Sequence, residues 1–570
     1  MKKHICLFAC FTLYVAAFAQ PASLYLQTSE VHHLMVQFEA DRGSLMRFYT
    51  IANSPERRER LKQFYTDYLN RLEQLPFETF SQGGKVDYIL FKRNLEEALY
   101  ELSVEEKEYG QIRKFVAMAD PLYGLEQKRR RGYTLNSEEV AQTLNQIHKQ
   151  ISDANRQLAQ QPNLPPELSS RAAQTVAGLR QALRSVYGFY NQYDPLFTWW
   201  VEKPYKQLDT LLGTYAQNLR KKVDATRLPK DDGSGIIGQP IGREEIIRQL
   251  RLEFIPYTPE ELIEIANKEF AWCDREMLKA SAELGFGNDW KKALEKVKQT
   301  YVPPGRQPEA MLDLYNQSVA FLKNNDLITI PPLAEETWRM RMMTPEQQRV
   351  SPFFLGGELF QISYPTADMD HEDKLMSMRG NNPHFSRATV HHELIAGHHL
   401  QQFMNSRNKV YRNFRTPFWT EGWALYWEMI LWDMGFPRNA EDRIGMLFWR
   451  MHRCARIIFS LNYHMGKWTP QQCIDFLVER VGHERANAEG EVRRSFTGRY
   501  GPLYQLAYMM GALQFYALKK ELVDSGKMSY KQFHDAVMAE NSMPVELLRA
   551  LLTNQPLSRN YNTQWKFYGK

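Results

Sequence analysis

The chain has 570 residues, 43% of them hydrophobic and 24% charged, the balance of a soluble globular protein built as one large unit or two to four domains. Its net charge of +6 is spread among nearly as many acids with no long basic run, so nothing marks a nucleic-acid partner.

The N-terminus has its own character. Met1-Lys2-Lys3-His4 is a basic leader, residues 5–18 are almost wholly apolar, and Ala17-Phe18-Ala19 fits a small-residue cleavage site before Gln20. Residues 1–19 therefore read as a secretory signal, with export to the periplasm or beyond. The apolar run is too short for a stable anchor, and no later segment has the length to span a bilayer. Lipid attachment at Cys10 is the alternative use, although it leaves an unusually short apolar region before the cysteine. Cys273, Cys454 and Cys473 remain after the leader, too few for a disulfide framework in a chain of this size.

The body reads as mostly α. Phe91, Leu95, Ala98, Leu99 and Leu102 share one helical face. Val140, Leu144, Ile147, Ile151, Ala154 and Leu158 share another, in a helix opened by Asn136 with Glu139 three residues on. A Gly- and charge-rich stretch, residues 228–238, reads as a loop between two lobes, placed at 20–235 and 236–570. Its glycines follow no strand and match no phosphate loop. Thr258-Pro259-Glu260-Glu261, Thr344-Pro345-Glu346-Gln347 and Thr469-Pro470-Gln471-Gln472 are capping boxes with Pro at the first helical position. One strand-like stretch, Glu358 to Tyr364, predicts a small β edge element able to pair with substrate backbone.

Four of the 14 histidines fall within nine residues, in His391-His392-Glu393-Leu394-Ile395-Ala396-Gly397-His398-His399. A zinc hydrolase needs neutral imidazoles, an open position for water, and a carboxylate to take that water's proton. In a regular helix, His392 and His398 would be separated by roughly 9 Å of rise and about 240° of rotation and could not share an ion. A bulge or break at Ala396-Gly397 would bring them together, and Gly permits the unusual backbone. His399 would need three inserted residues rather than two, so His398 is the expected second ligand. Downstream, Glu421 sits in the apolar run Trp419-Thr420-Glu421-Gly422-Trp423-Ala424-Leu425-Tyr426-Trp427-Glu428, where a lone acid is costly to bury unless paired. Glu421 reads as the third ligand, and Glu428, two turns on, as a carboxylate that orients a ligand imidazole.

These residues carry a resemblance. The sequence is similar to the bacterial family DUF885, whose H-E-x-x-P-G-H-H-L-Q motif matches His392 to Gln401 with Ala396 in place of Pro, and whose E-G-W-A-L-Y segment matches Glu421 to Tyr426. The likeness runs through Met376 to Asn382 and His464 to a Tyr-rich region ending at Gly511, and is densest between Ser351 and Gly511. It implies a helical, gluzincin-like metallopeptidase fold. The spacing also echoes the zinc helix of dipeptidyl peptidase III and the Glu-Gly-x-Ala segment of M1 aminopeptidases, by analogy only.

The expected activity is therefore zinc-dependent hydrolysis of peptide bonds. His392, His398 and Glu421 hold Zn²⁺, and Glu393 acts as general base on the bound water. His464 and Tyr508 are the candidate oxyanion donors, with Tyr500 and Tyr504 behind them. Arg379, Arg450 and Arg453 are candidates for binding a peptide terminus. The rival readings are an exported peptide-binding scaffold, its metal either structural and closed by His399 or His391 or else lost, and a zinc amidase acting on a non-peptide amide.

Overall fold

The computed structural model describes residues 28–348, 351, 353–363, 365–498 and 500–569. The leader 1–19, Cys10 and Tyr364 lie outside the described residues. The chain is mostly helical, as its periodicity predicts, with one two-stranded sheet among the described residues. It divides into two compact units, one of Val31–Thr79 with Tyr88–Pro229, the other containing Phe80–Asp87 and Lys230–Lys570. The division at Pro229 falls inside the Gly- and charge-rich loop.

In the first unit, helices Ser137–Gln160, Pro166–Tyr190 and Pro195–Lys221 pack together. Leu144, Ile151, Leu179, Leu208 and Leu212 form part of their shared core. The Asn136 side chain accepts hydrogen bonds from the backbone N–H groups of Glu138 and Glu139, which satisfies donors the helix cannot pair internally.

The second unit carries the histidine cluster. Helix Pro259–Glu283 and the short helices after Thr344 and Thr469 all begin with the reciprocal side-chain bonds of a capping box. Strand β1 (Arg339–Met342) pairs in parallel with β2 (Leu359–Ile362). The sequence signals β2 but not β1, whose Arg-Met-Arg-Met run lacks β-branched residues. On its other side, β2 exchanges two backbone hydrogen bonds between Gln361 and Leu355. The edge expected to receive substrate is thus already paired at Gln361.

Six helices frame the histidines: α1 (Pro383–Glu393), α2 (His398–Asn405), α3 (Pro417–Asp433), α4 (Ala440–His464), α5 (Arg485–Phe496) and α6 (Tyr504–Lys519). Helix α3 is buried on nearly every face, with Trp419, Trp423 and Trp427 fully enclosed. It packs most extensively on α6. The two backbones meet at Gly422 and Gly511, where a Cβ on Gly511 would lie 2.1 Å from the Phe418 carbonyl oxygen and 2.8 Å from Gly422 Cα. Backbone cannot yield as a flexible side chain does, and overpacking of well-filled interiors costs about 1–3 kcal/mol, occasionally more. Gly511→Ala is expected to reach the upper end of that range, read as a lower urea midpoint at unchanged m-value.

Candidate metal centre

Helix α1 begins at Asn382, whose side chain accepts from the N–H groups of His384 and Phe385, with Pro383 at the first helical position. It ends at Glu393, so His392 and Glu393 occupy its last turn. The next four residues are non-helical, with Leu394 at φ −109°, ψ −110° and Gly397 at φ −83°, ψ −130°, and the Ile395–Ala396 peptide is cis. His398 opens α2. The two extra residues are therefore taken up by a break between two helices rather than a bulge within one.

The break is anchored at both ends. Gly397 N–H donates to the His391 carbonyl at 2.9 Å, and Trp423 Nε1 donates to the Ala396 carbonyl at 2.8 Å. A Cβ on Gly397 would lie 1.9 Å from the His392 carbonyl oxygen, so this position admits only glycine without rearrangement.

The consequence is convergence. His392 Nε2 lies 3.5 Å and His398 Nε2 3.2 Å from Glu421 Oε2, and the three atoms are within 4.8 Å of one another. Ligands of a tetrahedral ion with bonds of about 2.0–2.1 Å stand about 3.3 Å apart, so both spacings to Glu421 fit zinc. Glu421 Oε2 has no hydrogen-bond partner among the described residues, although it is buried. The other oxygen, Oε1, accepts from the Tyr504 hydroxyl. An unpaired, enclosed carboxylate oxygen facing two imidazole nitrogens is what a cation site presents.

The outer partners agree. His392 Nδ1 lies 2.7 Å from Glu428 Oε1, which also accepts from Arg453 at 3.2 Å. Glu428 thereby fixes the tautomer with the proton on Nδ1 and turns the Nε2 lone pair inward. Burial lowers the His392 pKa, but Glu421 and Glu428 outweigh it and raise it to about 9. Burial raises the Glu421 carboxyl, yet His398 and His392 hold it well below the ordinary range.

Glu393 adjoins the cluster. Burial pushes its carboxyl up, partly opposed by His392 and His398. The segment before β2 closes over it: Gly357 N–H donates to the Glu393 carbonyl at 3.1 Å, and a Cβ on Gly356 would lie 2.3 Å from Glu393 Oε2. This segment, not β2 itself, lines the cavity of about 260 Å³ into which His392, Glu393, His398 and Glu421 open.

A family model described as a bacterial protein of unknown function (DUF885) matches residues 51–552. The chain belongs to this family. No curated protein matches it. Two solved structures share its fold. One, described as "a putative lipoprotein of unknown function" from Shewanella oneidensis, is 15% identical with a TM-score of 0.64, covering 91% of this chain and 99% of that one. The other, "the putative lipoprotein" from Colwellia psychrerythraea, is 16% identical with a TM-score of 0.56, covering 92% and 98%. At these identities the likeness speaks for fold alone.

The remaining sequence candidates separate in this DUF885 chain. His399 turns away, its Nε2 2.7 Å from the Ala334 carbonyl, and His391 packs edge-on to Phe436 at 5.6 Å. Tyr508, Tyr504 and Tyr500 line the cavity, and the Tyr508 ring stacks on His392 at 6.2 Å. His464 does not line it; the ring stands edge-on to Phe496 at 5.7 Å, and burial lowers its pKa to about 4. Arg379 pairs with Glu484 and Arg450 with Glu269, outside the cavity, whereas Arg453 faces it. Sequence reasoning passed over Arg456 and Arg494, which also line the cavity and both pair with Glu491. The available signal was the recurrence of Arg450, Arg453 and Arg456 every three residues within the mostly apolar run from Ile444 to Leu461 of α4.

Proposed function

We propose that the chain is an exported zinc-dependent peptidase. The observation that carries the proposal is the convergence of His392 Nε2, His398 Nε2 and Glu421 Oε2 beside Glu393 in an open cavity, with His391 and His399 both turned aside. Three protein ligands with a fourth position free characterise catalytic zinc, whereas structural zinc is closed by a fourth side chain. That contrast weighs against a structural, scaffold-only metal. The chemistry such an ion supplies is Lewis acidity, toward a scissile carbonyl and toward water.

The chain's own residues supply the rest. Glu393 takes a proton from water and returns it to the leaving amine. Glu428 and Arg453 hold the His392 imidazole in one orientation, and Tyr504 holds Glu421. Tyr508, which lines the cavity with its ring 6.2 Å from that of His392, serves as the donor toward developing oxyanion charge. Export is supported by the signal-like leader and by the lipoprotein descriptions of the two solved structures.

The test pairs elemental analysis with turnover of a mixed peptide library before and after chelation. One zinc per chain is expected, with hydrolysis lost on chelation and restored by zinc. Stoichiometric zinc without cleavage of any peptide would favour the binding scaffold or the non-peptide amidase, and absence of metal affinity would overturn the reading altogether.

A further inference from the structure

Three arginines of the cavity share only two carboxylates as hydrogen-bond partners. Arg453, Arg456 and Arg494 all line the cavity, and they are 4%, 2% and 7% exposed. Arg453 donates to Glu428 at 3.2 Å, Arg456 donates through Nε to Glu491 at 2.8 Å, and Arg494 pairs with the same Glu491. Two carboxylates thus serve three guanidinium groups. Arg453 Nε, Arg456 Nη1 and Arg494 Nε have no hydrogen-bond partner among the described residues. Removing such a cation from water without a full set of acceptors is expensive, and an enclosed arginine fork with idle donors is matched geometrically by a carboxylate.

The arginines are also held rigidly. Glu491 is fully buried and ties its helix α5 to α4 through Arg456 and to α6 through Gln505, while Arg494 pairs with it from one turn along α5. Their position relative to the histidines follows from one ring. Arg456 Cζ lies 4.3 Å from the Tyr508 ring centre, which lies 6.2 Å from the His392 ring. Together these spacings cap the Arg456–His392 separation at roughly 10 Å, a gap spanned by one extended residue of about 3.5 Å and two polar contacts of about 3 Å. Arg494 stands 5.5 Å from Tyr500, whose ring stacks on Tyr504 at 4.1 Å, and Tyr504 bonds the candidate ligand Glu421.

We propose that Arg456 and Arg494 receive the free α-carboxylate of a peptide, so that the enzyme removes single residues from C-termini. This specificity rests on the peptidase reading above. An acidic side chain offers the same chemistry, and the Glu-terminated amide below separates the two.

The experiment compares three matched peptides on zinc-loaded wild-type protein: a free acid with neutral side chains, its C-terminal amide, and an amide ending in Glu. The free acid is expected to lose one C-terminal amino acid, seen by mass spectrometry. Its kcat/KM should exceed that of the neutral amide by about 100-fold, the scale of losing a charged hydrogen bond. Arg494→Gln should erase the difference chiefly through KM, and Arg494→Lys should restore part of it. Equal turnover of acid and neutral amide, or internal cleavage, would overturn the inference and leave the peptidase reading intact. Full activity on the Glu-terminated amide would assign the arginines to side-chain carboxylates instead, and overturn it likewise. Calorimetric titration of Glu393→Gln protein with the acid and the neutral amide gives a readout independent of turnover. If no peptide is cleaved, preferential binding of the acid supports the carboxylate site while the peptidase reading fails, and equal binding overturns the site too.

Discussion

Glu393→Gln is expected to keep one zinc per chain while peptide hydrolysis falls by at least ~10²–10⁴-fold, the usual contribution of a positioned general base. The substitution preserves shape, so the last turn of α1 and the adjacent His392 should stay in place, and the Gly357 N–H bond to the residue 393 carbonyl is untouched. What changes is proton affinity, because an amide cannot accept the proton that the carboxylate takes. Enclosure makes the loss hard to bypass. Residue 393 is half-buried beneath the Gly356 backbone, and no other described acid that lines the cavity, save Glu421, stands ready to replace it. Zinc content by elemental analysis and rates on a cleavable peptide are the two measurements. A variant with full zinc and a near-normal rate would remove Glu393 from the mechanism and strengthen the claim of another proton acceptor.

Much of this architecture is legible in the residues. The helical class follows from periodicity, and Thr258, Thr344 and Thr469 each form the reciprocal cap their sequences announce, because a capping box is a local device that needs no tertiary partner. The break after Glu393 is foreshadowed by Gly397 and by the impossibility of a shared face at a spacing of six. Glu421 and Glu428 stand out because acids in an apolar helix require partners.

Other features are tertiary and leave faint local traces. β1 is a strand by virtue of its pairing with β2, not by its own composition. The segment over Glu393 has no regular structure of its own, and nothing local says which carboxylate it covers. His464 falls in a motif-dense region yet points into a different packing layer, at the far end of a 25-residue helix where one residue of rotation decides the face. Arg456 and Arg494 come from separate helices, and their shared Glu491 appears only once α4 and α5 are docked.

His398→Ala and His399→Ala, adjacent substitutions of the same kind, are expected to diverge sharply. His398 Nε2 faces Glu421 Oε2 at 3.2 Å, and its Nδ1 has no hydrogen-bond partner among the described residues. Its side chain has therefore no described role that competes with holding a cation. His399 Nε2 is committed to the Ala334 carbonyl at 2.7 Å, and its pKa is lowered chiefly by burial. Removing His398 leaves one imidazole and one carboxylate. The affinity loss should exceed the ~10–100-fold that follows loss of a mere outer partner of a ligand. Removing His399 forfeits one buried hydrogen bond and some packing, about 1–3 kcal/mol of stability, with zinc affinity changed only a few-fold. Competition against a chromogenic chelator reads affinity, and urea unfolding of the metal-free proteins reads stability, so the two losses separate cleanly. If His399→Ala instead sheds the zinc while His398→Ala retains it, α2 enters the site one residue out of register from the arrangement described, and the break at Ala396-Gly397 holds three extra residues rather than two.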